Sequence, residues 1–153
     1  MSNVSMTEQA TPATPAALSP LELIEGMALR NPVYRHLGIE VEEARPGYTR
    51  FAMTVRHELT NTFGVGHGGI VFTFADMAFG FTCNAMGERA MTASAAIDYL
   101  APAPVGARLI AEAREVARQG RNAFYDVEIR VEGGEVIAMV RGRMRLLGGP
   151  TLA

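Results

Sequence analysis

The sequence has no tryptophan and a single cysteine, Cys83, so no internal disulfide can form. It also lacks any run of five like charges: Lys plus Arg is 14, Asp plus Glu is 16, and the net charge is −2. Nucleic acid is therefore not an expected partner, because phosphate binding rests on clustered Lys and Arg. The first ten residues, MSNVSMTEQA, carry neither the basic nor the apolar segment of a secretory signal. With one unpaired thiol, a reducing cytoplasm is the expected compartment. Uncharged apolar runs all fall short of the ~20 residues that a membrane span needs, so no membrane partner is expected either.

What is present is enough apolar material for one ordinary domain: 153 residues, of which 48% are hydrophobic. Residues 1–19 are rich in Ala, Thr, Pro and Ser and read as a disordered tail. A domain over 20–148 follows, and 149–153 read as a second short tail. Ser19 followed by Pro20 and an acidic turn signals the start of a short helix that ends before Asn31-Pro32. Two strands, 39–44 and 48–56, flank the Pro46-Gly47 turn as a hairpin. A long helix then runs from His67 to Met86-Gly87, and four strands occupy 90–101, 106–118, 121–132 and 135–147. In the last two strands apolar and charged residues alternate, the pattern of a sheet with one buried and one wet face. The fold class is α+β: a largely antiparallel sheet with one helix on its apolar face, where Ala111, Ala113 and Ala117 leave room for close approach.

The long helix holds the main anomaly. Its apolar stretch, GGIVFTFADMAFGFTC, carries one charge, Asp76. An unpaired carboxylate among apolar groups costs several kcal/mol. Asp76 is thus either a carboxylate satisfied by a neighbouring Thr or backbone amide, or a catalytic group beside a pocket. At the helix start, Gly68 and Gly69 leave backbone N–H groups uncovered, suited to an oxyanion or simply to a tight turn. Asp76 lies seven residues beyond Gly69, about 10 Å along the helix. One reacting atom cannot touch both within a single protomer, so a site shared across a homodimer is expected. Cys83, with no nearby His to activate it, reads as a buried, inert thiol.

Several segments together resemble the hotdog-fold acyl-CoA thioesterases of the phenylacetic-acid-degradation (PaaI-type) branch. They are Asn61-x-x-Gly64-x-x-His67-Gly68-Gly69, Phe72-Thr-Phe-Ala-Asp76-Met-Ala-Phe79, Cys83-Asn84-Ala-Met-Gly87 and Ile97-Asp98-Tyr99-Leu100-Ala-Pro102. The likeness extends to 120–129 and to Val140-Arg141-Gly142-Arg143. It implies a long central helix wrapped by an antiparallel sheet, a homodimer with two composite sites, and commonly a homotetramer. It also implies an acyl-CoA thioester as substrate, with an aryl-acetyl or medium-chain acyl group; CoA enters as part of the substrate, with no separate cofactor and no metal.

Carried over position by position, Asp76 resembles the catalytic carboxylate and the Gly68 N–H the donor to the thioester carbonyl. Asn61 resembles the residue that orients water or carbonyl, and Thr92, or Ser94 two residues on, the assisting hydroxyl. His67 either takes part in the site or shapes the helix start. Around these, Gly69 and Asp98 are candidate substrate contacts, and Arg118 and Arg121 candidate contacts to the CoA phosphates. Two other readings compete: a hotdog-fold enoyl-CoA hydratase or dehydratase, and an acyl-CoA-binding module without turnover.

Overall fold

The structure is a computed structural model that describes residues 17–153. Residues 1–16 of the expected tail lie outside the described residues. Two short helices, α1 (Pro20–Leu29) and α2 (Pro32–Leu37), precede strands β1 (Glu40–Arg45) and β2 (Tyr48–Thr54). Helix α3 (Gly68–Asn84) then leads to β3 (Glu88–Tyr99), β4 (Arg108–Gln119), β5 (Asn122–Val131) and β6 (Val136–Pro150). Ser19 and Glu22 form a reciprocal capping box at α1, as the Ser-Pro-Leu-Glu pattern anticipates. Helix α2 was not anticipated. Pro32 occupies its first turn and the Asn31 side chain accepts from the Tyr34 N–H, so the residues that end α1 also start a new helix.

The six strands form one antiparallel sheet in the order β1-β2-β4-β5-β6-β3. Helix α3 lies on its inner face, burying Phe74, Ala75, Ala78 and Phe79 against Ala111, Ala113, Tyr125 and Val127. Close approach is essential at Gly142 of β6, where a Cβ would stand 2.6 Å from the Phe79 ring. Phe79 is fully buried and has no room to retreat. Gly142→Ala is therefore expected to cost about 1–3 kcal/mol through overpacking, read as a lowered thermal midpoint at fixed protein concentration. An unchanged midpoint would show that the helix can move off the sheet.

The wet outer face matches the alternation: Arg141 forms two 2.6 Å bonds with Asp126 on the neighbouring strand, and Arg130 pairs with Glu128. Among the register shifts of the sheet, two bear on the expected site residues, one between Thr92 and Ser94 in β3 and one between Glu115 and Ala117 in β4. The second corrects the expectation for Ala117, which is exposed and does not face the helix.

The chain end is not a loose tail. Strand β6 runs to Pro150, the Thr151 N–H donates to Gly87 O, and the Thr151 hydroxyl donates to Asn84 O at 2.7 Å. Leu152 presses on Gly26 of α1, and Arg30 donates to Ala153 O at 3.0 Å.

Candidate active site

At the start of α3, His67 is the N-cap and its Nδ1 accepts from the Gly69 N–H at 2.9 Å. This bond occupies the Gly69 N–H, so Gly69 has no free donor to offer a substrate. It also leaves the proton of a neutral His67 on Nε2. The Gly68 N–H, by contrast, has no acceptor among the described residues. His67 therefore shapes the helix start and leaves a single open amide there.

Asn61 stands beside Gly68, both lining one cavity with Tyr99, Leu100 and Ala101. Its Oδ1 accepts from Phe63 N at 2.9 Å and from Val65 N at 3.4 Å, folding the 61–66 loop on itself. Those two bonds fix the carboxamide, and Nδ2 has no acceptor among the described residues. Tyr99 donates from its hydroxyl to Gly68 O at 2.7 Å, and its ring packs over the Gly68 Cα.

Asp76 lies elsewhere, in a second cleft between α3, α1 and the inner side of β3. It is half-buried, and Thr92 donates to its Oδ1 at 2.8 Å. The Thr92 Oγ also stands 3.6 Å from the Met144 sulfur. Oδ2 has no partner among the described residues and faces the cleft as a free acceptor. Neither Asn61 nor Gly68 reaches this cleft. One protomer thus presents two separate candidate half-sites, a donor pair at the helix start and a carboxylate two turns along it.

Other expected contacts are redistributed by the bulges. Thr92 pairs with Met144 on the inner face of β6, but Ser94 pairs with Arg143 on the outer face and accepts from its Nε at 3.3 Å. The two hydroxyls therefore point to opposite sides of the sheet, whereas two residues apart on an uninterrupted strand they would share a face. Asp98 follows Ser94 outward into a depression lined by Arg114, Asp126 and Arg141, and lines neither half-site. Tyr99 takes the inward place in its stead. That exchange is why residue alternation alone missed Tyr99 although it stands in the matched motif.

The bulge in β4 turns Arg118 inward, where it binds Glu115 through two bonds of 3.0 and 2.7 Å and donates to the Tyr125 hydroxyl. Arg118 is thereby engaged by Glu115 and Tyr125 while staying exposed, and it lines neither cavity. Its guanidinium holds the Glu115 carboxyl below the ordinary range. Burial pushes up the fully buried Cys83 thiol beside this cluster, in keeping with an inert cysteine. Arg121 is exposed at the β4–β5 turn, has no carboxylate partner among the described residues, and lines neither half-site.

No described helix is long and apolar enough to cross a membrane, and no group of three or more potential metal ligands occurs among the described residues.

An open amide and a free carboxamide on one side, and a hydroxyl-anchored carboxylate on the other, are equipment for stabilising an oxyanion and activating a nucleophile. The thioesterase superfamily matches residues 63–138. Acyl-coenzyme A thioesterase PaaI of Escherichia coli K12 is 35% identical over 114 residues, covering 74% of this chain and 81% of that protein. Human acyl-coenzyme A thioesterase 13 is 31% identical over 125 residues, covering 78% of this chain and 89% of that protein. The solved structure of the E. coli PaaI protein from the phenylacetic acid degradation operon superposes with a TM-score of 0.83 at 29% identity, covering 86% of this chain and 95% of that one. By its sheet wrapped on one long helix and by these relatives, the chain belongs to the thioesterase superfamily, as a hotdog-fold acyl-CoA thioester hydrolase of the PaaI type.

Proposed function

We propose that the chain hydrolyses an aryl-acetyl-CoA or medium-chain acyl-CoA to the free acid and CoA, in sites built from two protomers. The observation that carries this reading is the separation of the half-sites: Asn61 and Gly68 line one cavity, Asp76 and Thr92 another. Strand β3 supports the pairing. It is an edge strand of 12 residues, exposed along most of its length, with Met91 at 64% and Tyr99 at 52% exposure. An uncovered edge of that length is a ready template for a second copy. Joining two copies there would carry each Asp76 toward the partner's helix start.

In the composite site, the Gly68 N–H and Asn61 Nδ2 of one protomer hold the thioester oxygen. The Asp76 carboxylate of the other, steadied on Oδ1 by Thr92, takes a proton from water through Oδ2. The water oxygen bonds to the carbonyl carbon, the C–S bond breaks, and CoA leaves as a thiolate that recovers a proton. Direct attack by Asp76, giving an anhydride that water then opens, uses the same atoms.

Free-thiol release from a panel of acyl-CoAs tests the reading. Turnover with thioesters supports it; a change in enoyl-CoA absorbance without thiol release would mark a hydratase, and binding without either would mark a sensor. Tyr99→Phe should act through Gly68: losing one hydrogen bond is worth about 0.5–1.5 kcal/mol, so kcat falls about two- to ten-fold with KM and thermal midpoint held. An equal shift in KM would mean that Tyr99 contacts substrate instead.

A further inference from the structure

The cleft that holds Asp76 extends well past it. It follows α3 from Asp76 through Gly80 to Asn84, where Thr151 and Leu152 also line it. Its walls are Met27, Met77, Phe81 and Met144, in a volume of 570 Å³. Methionine walls are apolar and adaptable.

Two asparagines also line the cleft, yet they present little polarity to it. Asn84 Nδ2 donates to Gly80 O and Ala90 O, and its Oδ1 accepts from Ala90 N. Asn31 Oδ1 accepts from Tyr34 N, and its Nδ2 is turned to the Met77 sulfur at 3.5 Å. Arg30 also lines the cleft, its Nη1 donating to Ala153 O; away from that guanidinium a hydroxyl or amide on a bound chain would find few free partners, whereas a plain hydrocarbon loses nothing.

The Asn84 end is lined by Thr151 and Leu152. Thr151 is tied to Asn84 O and Gly87 O, and Leu152 is wedged against Gly26 so tightly that a Cβ on Gly26 would stand 2.4 Å from its Cδ1. These contacts hold Leu152 in place beside the Asn84 end of the cleft. The path from Asp76 to Asn84 is eight residues of helix, about 12 Å. An extended chain advancing roughly 1.3 Å per carbon would fill it with about nine carbons.

Resting on the thioesterase reading above, we infer that this cleft is the acyl subsite, that it takes an unsubstituted chain of about eight to ten carbons, and that Leu152 sets the length. The thioester carbonyl sits at Asp76 and the terminal methyl at Leu152. A phenylacetyl group would leave the far half of the cleft unfilled.

The test is kcat/KM for CoA esters of straight chains from four to sixteen carbons, phenylacetyl-CoA and an ω-carboxyl chain of eight carbons, on the unaltered protein, Leu152→Ala and Leu152→Phe. The expected profile peaks at eight to ten carbons and favours these over phenylacetyl. Leu152→Ala should move the peak two or more carbons longer, raising the ratio of dodecanoyl to octanoyl turnover about ten-fold for two further buried methylenes. Leu152→Phe should move it shorter. A profile identical in all three active proteins, or a preference for the ω-carboxyl chain through Arg30, overturns the inference while leaving the hydrolase reading intact. Absence of thiol release at every length in the unaltered protein defeats the hydrolase reading itself.

Discussion

Asp76→Ala is expected to lower thioester turnover by about 10²–10⁴, the range that a positioned general base supplies. Asp76→Asn should fall as far, because the amide keeps the shape and the Thr92 hydrogen bond but cannot accept the proton of water. Stability should scarcely change in either variant. The carboxylate is half-buried and its described contact is a bond from the exposed Thr92, so its removal costs about 1 kcal/mol or less. Thiol release by both variants at the unaltered rate, with intact folding by circular dichroism, would remove Asp76 from the chemistry and leave it as a carboxylate satisfied by threonine.

Pairing of defective subunits should restore activity. Asn61→Asp keeps the oxygen that accepts from Phe63 and Val65, so the loop survives, but it removes the Nδ2 donor and puts negative charge beside the developing oxyanion. A fall of about 10²–10³ is expected, as for loss of one oxyanion donor. Co-expressed with Asp76→Ala, it should form mixed dimers in which one site joins an intact helix start to an intact carboxylate and the other joins both defects. With random pairing, half the dimers are mixed and half of their sites work, so about a quarter of full activity returns. If each site were built within one protomer, every site would carry one defect and nothing would return. That outcome would defeat the shared site while leaving Asp76 in place.

Much of the fold was legible because the chemistry of each segment is local. Ser19-Pro20 with Glu22 dictates a capped helix start, Pro46-Gly47 a hairpin turn, and the alternation through β5 and β6 a sheet with one wet face. Helix α2 escaped because Asn31-Pro32 reads equally as the end of one helix and the beginning of the next. The chain end escaped for another reason: Thr151 and Leu152 carry no local signal, and only Asn84, Gly87 and Gly26, remote in sequence, give them partners.

The site divides in the same way. Asp76 was conspicuous because a charge inside an apolar helix is costly wherever the helix lies, and Gly68 and Asn61 because they stand in a recognisable motif. The roles of Ser94, Asp98, Arg118 and Tyr99 were decided by the two bulges. Each extra residue shifts the side-chain alternation by one, so Thr92 and Tyr99 face inward, Ser94 and Asp98 outward, and Arg118 turns to Glu115. A period-two reading is blind to a bulge, which is stabilised by the neighbouring strand and not by the residues that form it.

The sequence by itself determined that the long helix carries a carboxylate needing a partner, and that carboxylate and helix start stand about 10 Å apart along it. Only the tertiary structure decided what surrounds them. It brought Thr92 to Asp76 and Tyr99 to Gly68, and it set Leu152 against the methionine cleft. Contacts between residues distant along the chain depend on register and packing, and these are fixed when the whole sheet closes on its helix.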